Sequence, residues 1–314
     1  MSKGVLLLDG GMGQELIRRS SSPSAHHLWS LKVMLDEPEL ISEVHRDFCL
    51  AGASIACLNT YAITRARLAR SENLPSLEDL LGRAYKLAEK GVRSSSCNEV
   101  ALISTLPPLV ASYRADTQLP MDLMVEEYVE LIGIQSRNAD GFIAETIPSI
   151  NEAIAVLTAA NRLNVQIVLG LTVSDENGEF LRSGEPLSDT LTAVKPMNPL
   201  AVVVNCSKPE AVSEAMPILS QAGLVFGAYA NGFTAIDALE PGGVVDVLEA
   251  RKDLNPNQYA EFADKWLNAG ATIIGGCCEV GPDHISALDE LITKRGLKKL
   301  KWESLSSLSH GLTG

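Results

Sequence analysis

The chain has 314 residues, long for an ordinary single domain but normal for one α/β barrel. Hydrophobic residues make up 46% of it, enough for a large core, so a disordered chain is excluded. A formal net charge of −13 argues against nucleic acid or an anionic membrane surface as main partner, and six cysteines are too sparse for a disulfide scaffold. No run of about 18 apolar residues is present, so no membrane span is expected. The apolar run at 5–8 is too short for a signal peptide. The chain therefore reads as soluble and cytoplasmic.

Short apolar, β-branched runs recur in chain order and predict strands at 5–8, 53–58, 100–105, 141–144, 165–172, 201–204, 224–229 and 272–274. Helical patterns lie between them. Pro38 opens one, as suits a first helical turn, and others cover 77–92, 121–136, 151–161, 257–269 and 282–294. Strands alternating with helices predict a parallel sheet, and eight of them suit closure. The expected fold class is α/β, a (β/α)8 TIM-type barrel, as a single domain over 1–314. A doubly wound open sheet is the alternative, but Asp9-Gly10-Gly11-Met12-Gly13 does not match the dinucleotide turn such a sheet usually carries. The loops 20–24 and 175–179, and the long Gly- and Pro-containing stretch 231–257, are candidates to cover an active-site face. The polar tail after Lys298 is expected to fray or form a last short helix.

Barrel enzymes carry their chemistry at the carboxyl ends of the strands. Those ends read, in order, Asp9; Asn59-Thr60-Tyr61; Pro107-Pro108; Glu145-Thr146; Thr172; Asn205-Cys206; Asn231; Cys277-Cys278. Strands must end in something polar, so any one of these has a purely structural explanation. The concentration of carboxylates, amides and thiols does not.

Cys206 closes one apolar run and the vicinal pair Cys277-Cys278 closes another. Thiolates select soft or borderline metals such as zinc, and three protein ligands leave the fourth tetrahedral position open for a substrate. Neighbouring strand residues normally face opposite sides. Both members of the pair reach one metal only if the backbone bends, and Gly275 and Gly276 are expected to supply that bend. Cys49, Cys57 and Cys97 are expected to be inert packing residues. Asp9 and Glu145 form a second constellation, either an acid–base pair or a clamp for an ammonium group. The backbone N–H groups of Gly10 and Gly11 are suited to a carboxylate. Together these parts describe a pocket for a thiol amino acid. A zinc hydrolase would want His or carboxylate ligands, and the histidines (His26, His27, His45, His284 and His310) form no His-Glu-x-x-His pattern. His284, at a helix opening, is expected to be structural or capping. A non-catalytic zinc- or thiol-binding protein is a third reading.

The pieces Leu8-Asp9-Gly10-Gly11-Met12-Gly13-Gln14-Glu15-Leu16, Leu28-Trp29-Ser30, Asn59-Thr60-Tyr61, Glu145-Thr146-Ile147-Pro148-Ser149, Asn205-Cys206 and Gly275-Gly276-Cys277-Cys278 resemble, in that order, the motifs of the homocysteine S-methyltransferase family. The resemblance implies zinc held by Cys206, Cys277 and Cys278. It implies recognition of homocysteine by Asp9, Gly10 and Glu145, with Asn205 nearby, and places Trp29 and Tyr61 in the pocket lining. The expected partners are small molecules only, homocysteine and a methyl donor, with no nucleic acid and no membrane; nothing is implied about oligomeric state. Where the family usually has Thr this chain has Gln14. Where it usually has Tyr-Pro-Asn-Ser-Gly after the seventh strand, this chain has Tyr229-Ala230-Asn231-Gly232-Phe233. Betaine-using relatives resemble a Glu-Tyr at the fourth strand exit, where Glu145-Thr146 stands here. The resemblance is therefore best to the group using S-methylmethionine or S-adenosylmethionine, with another donor such as betaine as the alternative.

Overall fold

In the computed structural model, which describes residues 4–21, 28–97, 99–236 and 248–310, strands β1 to β9 cover Gly4–Leu7, Ile55–Cys57, Ala101–Leu106, Gly141–Ile147, Val168–Leu171, Ala201–Asn205, Phe226–Tyr229, Ile273–Ile274 and Lys298–Lys299. All pairings are parallel, in the order β2-β3-β4-β5-β6-β7-β8-β1-β9. Between β1 and β2 the Ser54 N–H donates to the Leu7 carbonyl at 2.8 Å, so the first eight strands close on themselves. The eight expected strands all form. Ser22 to Ser24 of the first expected loop, His26, His27 and residues 237–247 of the long stretch lie outside the described residues.

Closure follows from a period of two. Leu6, Ile55, Ile103, Ile143, Val168, Val203 and Ile273 form one buried cluster inside the barrel. Their strand neighbours Leu7, Ala144, Leu169, Val202, Val204, Ala228 and Ile274 pack outward with the helices. Cys57, Glu145, Asn205 and Tyr229 share the inward parity of Ile55, Ile143, Val203 and Gly227, which brings the polar ends of four strands to one mouth.

The tail forms the expected short helix, at Ser304–His310, and adds a strand that was not expected: Lys298 and Lys299 pair with Gly4 and Val5. Trp302 and Leu305 join the interior cluster, with the Trp302 indole over Gly141. A lysine-rich strand gives little sequence signal, and its amphipathic partners lie far away at the start of the chain. The helices Met12–Arg19, Trp29–Asp36, Leu187–Val194 and Pro209–Gln221 also went without a clear pattern. The first three are only eight residues long, and the last contains Pro217, which normally breaks a helix.

His45 lies on the helix Pro38–Leu50, fully buried, with neither ring nitrogen hydrogen-bonded. Burial drives its pKa down to about 3. The folded protein thus keeps His45 neutral after the unfolded chain has taken up a proton near pH 6.5. The sign is destabilising in acid: stability is lost as pH falls from about 6.5 to about 3, by up to ~1.4 kcal/mol per pH unit. Chemical denaturation of His45→Leu should therefore show a stability advantage over wild type that grows across that window. A difference constant with pH would place the cost elsewhere.

Candidate functional site

The strand exits open into a cavity of about 110 Å³, many times the ~10–15 Å³ that one water requires. Asp9, Gly10, Gly11, Trp29, Asn59, Tyr61, Glu145, Thr146, Cys206, Cys277 and Cys278 line it, and among the described residues no Lys, Arg or His does. The other exits are used for structure. Thr60 bonds Thr105, the Pro107 and Pro108 carbonyls accept from Tyr128 and Arg67, and the Asn231 side chain accepts from the Phe233 N–H. His284 accepts from the Gly281 N–H and contacts the Leu254 carbonyl, as a cap does.

Cys206, Cys277 and Cys278 bring their sulfurs within 4.8 Å of one another, and Cys206 and Cys278 lie 3.7 Å apart. Two sulfurs on one tetrahedral zinc, each at ~2.3 Å, would be separated by about 3.8 Å. The donor set is all sulfur, with no fourth His, Cys, Asp or Glu joining it among the described residues. Both features fit zinc with one open position. Burial raises the Cys206 thiol, but hydrogen bonds from Cys277, Cys278 and Tyr113 overcome it and hold Cys206 well below the usual thiol range. Cys277 and Cys278 are held well above it, Cys277 chiefly by burial and Cys278 by its hydrogen bond to Cys206.

The loop carrying the pair is packed against the loop after β1. Gly276 N–H donates to the Asp9 carbonyl, and Gly11 N–H donates to the Val280 carbonyl at 2.9 Å. A Cβ on Gly10 would meet the Val280 carbonyl at 2.1 Å, and one on Gly276 would meet the Val280 side chain at 2.1 Å. These glycines supply room for close approach. Neither Gly275 nor Gly276 has a positive φ, so the expected reliance on strained glycine dihedrals is corrected. The expected pair of amides is reduced as well, since the Gly11 N–H is already used; the Gly10 N–H is the one at hand for a ligand carboxylate.

Strain sits elsewhere. Thr146 (φ +61°), Cys206 (φ +51°) and Tyr113 (φ +63°) all adopt the left-handed region and all line the cavity. Such outliers persist where the surroundings over-determine them. Thr146 is held by Asn205, whose Oδ1 accepts from the Thr146 N–H at 2.9 Å and whose Nδ2 donates to the Thr146 hydroxyl at 3.1 Å. Asn205 is fully buried and does not line the cavity, so its side chain reaches any ligand only through Thr146. The β4–β5 register shifts between Ala144 and Ile147, a bulge of the kind that re-aims a side chain, here Glu145.

Asp9 is buried and Glu145 half-buried against the same cavity. Asp9 Oδ2 accepts from the Cys57 N–H at 2.7 Å, and Glu145 Oε1 accepts from the Tyr229 hydroxyl at 3.0 Å. Burial raises Asp9 to about 7 despite the Cys57 bonds. It raises Glu145 to about 8, with the Asp9 charge adding to the rise. Two carboxylates with no cation beside them make a site short of positive charge. Cys57, expected to be inert packing, packs against the interior cluster and also forms part of the cavity wall beside Asp9. Tyr113 and Tyr229 were also missed. The alternation of β7 carries enough signal to point Tyr229 inward. Tyr113 lies in a patternless loop and had none.

A family model described as homocysteine S-methyltransferase matches residues 6–292. The homocysteine S-methyltransferase of Escherichia coli (strain K12) is 29% identical over 302 residues, covering 90% of this chain and 94% of that protein. The selenocysteine Se-methyltransferase of Brassica oleracea var. italica is 24% identical, covering 98% of this chain and 93% of that protein. The crystal structure of the Escherichia coli homocysteine methyltransferase MmuM in its metallated form superposes with a TM-score of 0.76 at 26% identity, covering 91% of this chain and 96% of that one.

Proposed function

The chain belongs to the homocysteine S-methyltransferase family, and from that premise we propose that it transfers a methyl group from a sulfonium donor, S-methylmethionine or S-adenosylmethionine, to the thiol of homocysteine in a zinc-dependent reaction. The observation that carries the reading is the juxtaposition in one cavity of three sulfurs and two cation-short carboxylates. A thiol amino acid complements both ends at once. The reading takes 1–314 as one domain.

Cys206, Cys277 and Cys278 would hold the zinc; its chemistry is to keep the substrate thiol ionised at neutral pH, where a free thiol is only a few per cent thiolate. Asp9 and Glu145 receive the ammonium group, and its charge brings both carboxylates back to their ionised forms. The Gly10 N–H receives the carboxylate. The remaining work is alignment of the acceptor sulfur, the methyl carbon and the leaving sulfur. The donor's positive charge suits the face of Trp29, which lines the same cavity. A sulfonium leaves as a neutral thioether, so no general acid is required. Asp9 and Glu145 are binders in this scheme.

Methionine formation from homocysteine should proceed with S-methylmethionine or S-adenosylmethionine and be at least about tenfold slower with betaine at equal concentration, because an ammonium donor lacks the sulfonium's leaving-group ability. Protein reconstituted under reducing conditions should hold one zinc per chain. A preference for betaine would reject the donor assignment, and activity undiminished in zinc-stripped protein would reject the metal.

A further inference from the structure

We propose that Tyr113 is a positioning residue for the metal centre: its hydroxyl donates a hydrogen bond to the Cys206 sulfur, and Arg182, stacked behind the ring, fixes that hydroxyl in place. The inference rests on the three-cysteine zinc reading given above and adds the outer contacts that would orient it.

The Tyr113 hydroxyl lies 2.9 Å from Cys206 Sγ. That is short for an O–H to sulfur contact and fits a charge-assisted bond to a thiolate. Both partners have left-handed backbones, at φ +63° and +51°, although neither is glycine. Each would relax at its own position if nothing held it. The contact therefore joins two strained residues from different strand exits, and the structure around each is built to keep it.

On the Cys206 side, the next residue, Ser207, accepts from the Val173 N–H at 2.9 Å and donates to the Val173 carbonyl at 3.0 Å. On the Tyr113 side, Ser112 bonds the Tyr61 hydroxyl at 2.9 Å, and Arg67 donates to the Pro108 carbonyl at 3.0 Å. Arg182 spans the two. Its guanidinium carbon lies 5.0 Å from the centre of the Tyr113 ring, its Nε donates to the Thr172 hydroxyl at 3.0 Å, and it pairs with Asp175 at 3.1 Å. Asp175 in turn accepts from the Lys208 N–H at 2.8 Å, two residues beyond Cys206. The Arg182 side chain is only 9% exposed, so its charge is weakly screened. A cation over the ring face draws electron density away from the phenol oxygen and makes its hydroxyl a stronger donor.

The consequence is a graded one. Three cysteine thiolates and a substrate thiolate crowd negative charge around one ion, and a neutral donor at one corner disperses some of it without occupying the open position. Outer contacts of this kind fix ligand orientation, and losing one typically lowers metal affinity 10–100-fold.

The test is a competition titration of zinc against a chromogenic chelator, run on wild type, Tyr113→Phe and Arg182→Gln. Tyr113→Phe keeps the ring and should fold normally, with the metal-free melting temperature unchanged. Its zinc affinity should fall by about 10–100-fold, and Arg182→Gln should fall in the same direction by less. In the cobalt-substituted proteins, the sulfur-to-cobalt charge-transfer band should move to lower energy in Tyr113→Phe, since the sulfur no longer shares its charge with a donor. Packing alone would not move that band. Zinc affinity and band position equal to wild type would overturn the proposal while leaving the zinc reading intact. Wild type that binds no zinc would overturn both.

Discussion

Replacing any one of Cys206, Cys277 and Cys278 by serine is expected to remove most of the zinc and to lower methionine formation by about 10³-fold or more, with the barrel still folded. The magnitude has two parts. Without the metal only a few per cent of the homocysteine thiol is ionised at pH 7, a loss of roughly 30-fold. The sulfur is also no longer held in line with the methyl group, and a misplacement of about 1 Å can cost a further 10²-fold. Serine retains the volume and an acceptor for Tyr113, so what changes is affinity for a soft cation. The fold should survive because the interior is built from Leu6, Ile55, Ile103, Ile143, Val168, Val203 and Ile273 and closed below by Trp302, with Cys277 alone of the three thiols packed against that cluster. Zinc content by mass spectrometry, X-ray absorption of the loaded wild type and circular dichroism of each variant check the three claims separately. A wild-type spectrum dominated by nitrogen ligands would reject the three-cysteine centre, and full activity in any one variant would reject its role.

How much of this was legible before the structure depends on whether a residue's neighbours lie close in sequence. The eight strands were readable because short apolar runs of three to eight residues, many of them β-branched, recur between helical patterns along the chain. Their exits followed at once, and with them Asp9, Glu145 and the three cysteines. What each exit residue bonds was not readable. Asn205 sits beside Cys206 in sequence, yet its amide is used on Thr146, 59 residues away. Gly11 looked like an open amide until its N–H met Val280. Cys57 looked like core, because alternation shows that a side chain points into a barrel but not whether that level is packed or hollow. Tyr113 depends on a non-glycine left-handed turn and on Arg182, and neither leaves a periodic trace. The last strand at Lys298–Lys299 is a similar case: it forms on the Gly4–Val5 end of β1, below the point where Leu7 closes the barrel, and not because its residues favour extended structure.

Glu145→Gln should separate a binder from an acid–base catalyst. On the proposed assignment the carboxylate accepts a hydrogen bond from the substrate ammonium, worth ~1.5–3 kcal/mol for a charged partner, so KM for homocysteine should rise by about 10–150-fold. The zinc content should not change, since Glu145 is not among the clustered sulfur donors. A thiol of similar length lacking the amino group should be a poor substrate for wild type and lose little more in the variant. The pH dependence has a definite sign. In the ligand-free protein desolvation, with the nearby Asp9 charge adding to it, holds Glu145 protonated below about 8. An ammonium binds only the ionised form, so homocysteine affinity should strengthen as pH rises toward 8 and weaken again where the substrate amine loses its proton. Glutamine has no such proton to lose, and the rising limb attributable to this residue should flatten. Were Glu145 a general acid or base, kcat would fall with both thiols alike and the limb would vanish from kcat itself. An equal loss with the two thiols would therefore reject the ammonium-binding role. A loss confined to the amino acid, carried in KM, is the outcome expected of a cavity lined by two carboxylates, the three clustered thiols and, among the described residues, no cation.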